Sequence, residues 1–68
     1  MLADRIRTLD ARLQTVKAKY AGRTAPLALQ HAEREIARAR SILGAGYLGV
    51  CRGFLDVADR TLTQLESW

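Results

Sequence analysis

Sixty-eight residues with 49% hydrophobic side chains and a single proline make one small domain and argue against disorder. Eleven Lys or Arg against seven Asp or Glu leave a net charge of +4, and a chain this short buries only about 60% of the surface its unfolded form exposes, so a monomer is marginal. One cysteine, Cys51, and one histidine, His31, exclude an internal disulfide and fall short of a four-ligand structural zinc site, which leaves oligomerisation as the common remedy.

No apolar run approaches the roughly 20 residues that span a membrane. The opening Met-Leu-Ala-Asp-Arg carries charge from Asp4 and lacks an apolar signal core, so the expectation is a cytoplasmic protein with no membrane partner. The basicity is uneven. Residues 1–24 hold six Lys or Arg against Asp4 and Asp10, whereas residues 44–68 hold two against three acids.

The first segment, about residues 2–21, reads as a helix. Leu2, Ile6, Leu9, Leu13, Val16 and Tyr20 alternate steps of four and three, a coiled-coil-like heptad seam. Asp4 near the start and Lys17 and Lys19 near the end suit the helix dipole, and Gly22 supplies a stop. A short connection follows, with Thr24 expected as the N-cap of the next helix and Pro26 in its first turn. A connection this short makes the two helices antiparallel neighbours.

The second segment, about residues 25–43, has the apolar face Ala25, Ala28, Leu29, Ala32, Ile36, Ala39 and Leu43. Four of those seven are alanine, so a neighbour can approach closely over a thin core. Glu35 with Arg38, and His31 with Glu35, are spaced as helix-surface pairs. Leu27, His31, Arg34, Arg38 and Ile42 form a second, mixed face that suits a protein contact. Gly44-Ala-Gly46 then reverses the chain, with Gly44 expected in the left-handed position after the helix.

The third segment, about residues 47–67, carries two apolar rows. One is Leu48, Cys51, Leu55, Ala58, Leu62 and Leu65. The other is Tyr47, Val50, Phe54, Val57, Thr61 and Trp68. Together they cover an arc roughly 180° wide, more than a single neighbour requires. The fold class expected is all-α, an up-down-up three-helix bundle over residues 1–68, oligomeric through its third helix. If the first row packs inward, the second is left for self-association.

Several patterns invite a chemical reading. Gly44-Ala-Gly46-Tyr-Leu-Gly49 matches the dinucleotide fingerprint letter for letter, but that motif needs a preceding strand and a sheet, and here a charged helix precedes it. No internal repeat is present, since one helical hairpin falls short of the three units a tetratricopeptide array needs. Cys51 lies in an apolar row and reads as core. Asp56 and Asp59 read as helix-surface partners of Arg52 and Arg60, with Asp56 four residues from each arginine. Gly49 and Gly53 have two readings, an irregular start to the third helix or close approach of another backbone.

Arg5, Arg12 and Lys19 recur every seven residues beside the first seam. They read either as partners of a neighbouring helix or, helped by Arg7, Lys17 and Arg23, as a track along a phosphate backbone. With no nucleophile–base constellation and no cofactor motif, the leading expectation is a non-catalytic protein-interaction or regulatory module. Its partners are a second copy or another protein, with Arg34 and Arg38 as further contacts. The alternative is a small basic nucleic-acid-binding protein using the first-helix row in a dimer. An enzyme with arginines at a subunit interface ranks third.

Overall fold

The computed structural model describes residues 1–67 and consists of three packed helices: α1 (Leu2–Lys19), α2 (Leu27–Gly44) and α3 (Leu48–Glu66). There is no strand among the described residues, and Trp68 lies outside them. The bundle measures 37 × 19 × 18 Å, somewhat longer than the roughly 30 Å of a 20-residue helix.

The core is the set of rows that helical spacing selects. Ile6, Leu9, Leu13 and Val16 of α1 meet Leu29, Ala32, Ile36 and Ala39 of α2, and Cys51, Leu55, Ala58, Leu62 and Leu65 of α3. No polar side chain is buried among the described residues. The α2–α3 contact is the most extensive of the three, as the alanines of α2 permit. The Cys51 thiol is buried and donates to the Ala39 carbonyl at 3.3 Å, so it packs as a small hydrophobe with its one weak donor satisfied.

Ion pairs report the directions of the helices. Lys17 meets Glu33 and Asp10 meets Arg40, so α1 and α2 run antiparallel. Arg5 meets Asp56 and Arg12 meets Glu66, so α1 and α3 run parallel. The topology is up-down-up.

Helix ends differ from their sequence expectations in three places. α2 begins at Leu27 with Pro26 in the cap position, and Thr24 does not cap it. The proline ring drives the preceding Ala25 out of helical conformation, so the helix cannot start there. At the other end the left-handed residue is Gly46, with φ of 87°, and Gly44 is the last helical residue. The Tyr47 amide donates to Ile42 and the Gly46 amide to Leu43, the double closure of a Schellman motif. α3 is regular from Leu48, with the Cys51 amide already bonded to the Tyr47 carbonyl, so an irregular start near Gly53 does not occur. At the end of α1, by contrast, Gly22 does take a left-handed φ, of 75°.

Leu48 departs from its row. It is 56% exposed, because it starts α3 at the end of the bundle, where α1 offers only the partly buried Leu2 and exposed Met1. Among the described residues no helix is long and apolar enough to cross a membrane.

Candidate interaction surface

The second row of α3 turns away from α1 and flanks the seam with α2. Tyr47 is 66% exposed, Val50 54% and Val57 46%. Phe54 and Thr61 are half-buried, and Phe54 packs its ring against the core. Phe54 is therefore shared between core and surface, where the sequence assigned it to the surface alone. Val50, Gly53, Phe54 and Val57 line a shallow, largely apolar depression with Glu35 of α2 at its edge.

Gly49 and Gly53 sit on the outer side of α3. A Cβ built at either position meets nothing within 4 Å, so neither glycine is required by close approach within the chain. Any crowding that favours them comes from outside it.

The opposite flank of α3 is polar and is taken up by α1. The Arg5 guanidinium lies 2.5 Å from Asp56. Arg12 bonds Asp59 at 2.5 Å, grips Glu66 through two nitrogens and donates to the Thr63 hydroxyl. Those two carboxylates hold the Arg12 guanidinium protonated above its ordinary range, Glu66 contributing most, and Arg12 in turn lowers the Glu66 pKa. Lys19 donates to the Leu65 carbonyl at 3.1 Å. The heptad row of α1 thus meets α3 along its whole length. Asp56 and Asp59 do not pair with Arg52 or Arg60, because α1 presents its arginines to them first.

On α2, Leu27, His31, Arg34 and Arg38 are exposed and Ile42 is half-buried. Neither Glu35–Arg38 nor His31–Glu35 forms an ion pair among the described residues. Glu35 leans instead toward the apolar flank of α3, the side on which its helix meets that partner. Sequence spacing could not reveal that Glu35 belongs to the α3 surface, since the two lie on different helices.

No group of three or more His, Cys, Asp or Glu side chains that could hold a metal ion occurs among the described residues. Two further depressions lie at the end of the bundle around Met1, Leu2 and Leu48, one larger and one smaller than that on α3. Comparison with family models, curated proteins and solved structures gives no match, so the functional reading rests on the surface just described.

Proposed function

We propose that this chain is a non-catalytic helical interaction module that self-associates through α3. One observation carries the reading: Val50 and Val57 stand exposed on one flank of α3 and line an apolar depression with half-buried Phe54, and Tyr47 stands exposed at the start of the helix. A contiguous exposed apolar patch marks an interaction site. A chain of this size also gains from a partner, since its own core is small.

Sedimentation of the full chain at micromolar concentration tests it. The expected species is a dimer or larger, and Val50→Asp with Val57→Asp should yield a folded monomer. Phe54 is left intact because it also packs on the core. A wild-type monomer at about 100 µM, where even weak specific dimers form, would overturn the proposal.

A phosphate track along α1 draws less support. Arg5 and Arg12 already face carboxylates of α3, and Lys19 donates to a backbone carbonyl. Arg34 and Arg38 of α2, exposed and without an acidic partner among the described residues, are better placed to meet an outside group.

A further inference from the structure

Three features of the outer surface have no account within one chain. Glu35 is the first. Every other carboxylate among the described residues is engaged with a Lys or Arg, whereas half-buried Glu35 faces the apolar depression on α3 without a cation. A partly desolvated carboxylate in such surroundings is unfavourable until a cation joins it. The second is Gly53, a helix-interior glycine beside which the chain leaves open space. Glycine weakens a helix at such a position. The third is Arg60, exposed on α3 and, like Arg34, Arg38 and Arg52, without an acidic partner among the described residues.

One arrangement accounts for all three. Val50, Gly53, Val57, Arg60 and Gln64 step by three and four, so they share a narrow stripe of α3. That stripe lies opposite the buried Leu55 and Leu62. We infer that a second copy docks antiparallel along this stripe, with Arg60 of each copy crossing the other's Gly53 to pair with its Glu35. The inference rests on self-association through α3 and specifies how the copies meet.

A two-fold axis beside Val57 makes the contact self-complementary. Val57 then meets its own symmetry mate, and Arg60 lies opposite the Gly53–Phe54 turn, beside which Glu35 stands. The missing side chain at Gly53 opens the path for a long arginine. Each copy supplies one cation and one anion, so the pair forms twice. A parallel dimer would instead set Arg60 against Arg60 and leave both Glu35 carboxylates uncompensated. Charge complementarity therefore selects the antiparallel orientation and favours a second copy over an anionic surface, which Glu35 would repel.

The test is a charge swap on the full chain, followed by sedimentation equilibrium with circular dichroism as a check on folding. Glu35→Arg and Arg60→Glu should each weaken the dimer about tenfold while leaving helicity unchanged, and the double variant should recover most of that loss. Single variants without effect, or a double variant no better than the worse single, would overturn the pairing while leaving α3 self-association standing. A monomeric wild type would remove the underlying reading as well. Orientation has its own readout in a Cys51→Ala background. Val57→Cys should oxidise to a linked dimer and Gln64→Cys should not, whereas a parallel dimer would cross-link through both.

Discussion

Arg12 holds Glu66 with a two-pronged grip, Nε to Oε2 at 3.2 Å and Nη2 to Oε1 at 2.8 Å. The two residues are 54 positions apart, so this contact fastens the first helix to the last turns of the third. Geometry of this kind is specific to a guanidinium, whose planar fork matches a carboxylate where a lysine ammonium cannot. Arg12→Lys should therefore lose most of what Arg12→Ala loses. Urea unfolding followed by circular dichroism should show a loss of about 1 kcal/mol for the alanine variant, near the top of the range for partly exposed pairs.

The same contact sets a response to acid. Glu66 has its pKa lowered below the ordinary value of 4.5 by hydrogen bonding to Arg12. A carboxyl whose folded pKa is depressed adds stability that is fully present above the unfolded pKa and is lost as pH falls through the folded one. Thermal stability should thus decline as pH drops below about 4.5, and Glu66→Gln should flatten that part of the profile. An equal decline in both proteins would assign the acid sensitivity to other carboxylates.

Glycine substitutions should separate by position. At Gly49 the backbone is helical and a Cβ meets open space, so Gly49→Ala should stabilise the fold by up to about 1 kcal/mol. At Gly46 the φ of 87° lies in the left-handed region, and Gly46→Ala should destabilise by roughly 1 kcal/mol through strain in the Schellman turn. Melting temperatures of the two variants should move in opposite directions.

Core and surface positions on α3 should also part company. Leu62 is fully buried, and Leu62→Ala should cost about 2–5 kcal/mol, enough to unfold so small a domain. Val57→Asp, at a position 46% exposed, should leave the helical signal intact and act on assembly. Loss of helicity in Val57→Asp would return that position to the core.

The existence and placement of the helices, and nearly all of the core, can be read from residue order. Helical periodicity is local, so Ile6, Leu9, Leu13 and Val16, or Leu55, Leu62 and Leu65, declare their shared faces without knowledge of any neighbour. The exposed Tyr47, Val50 and Val57 followed by subtraction, as the apolar row left over once the first was used. Local reasoning failed where a single backbone constraint prevailed, as at Pro26, which displaced the expected Thr24 cap, and at Gly46, which took the turn assigned to Gly44.

The tertiary structure decided which charges meet. Arg5 and Arg12 carry the same spacing whether they face phosphate, water or another helix, and only the parallel docking of α1 on α3 gives them Asp56, Asp59 and Glu66. The same docking draws those carboxylates away from Arg52 and Arg60, and the seam between α2 and α3 sets Glu35 beside Gly53 and Val57. Apolar burial is dictated by the pattern along one helix, whereas the partner of a charge is chosen by which helices lie side by side.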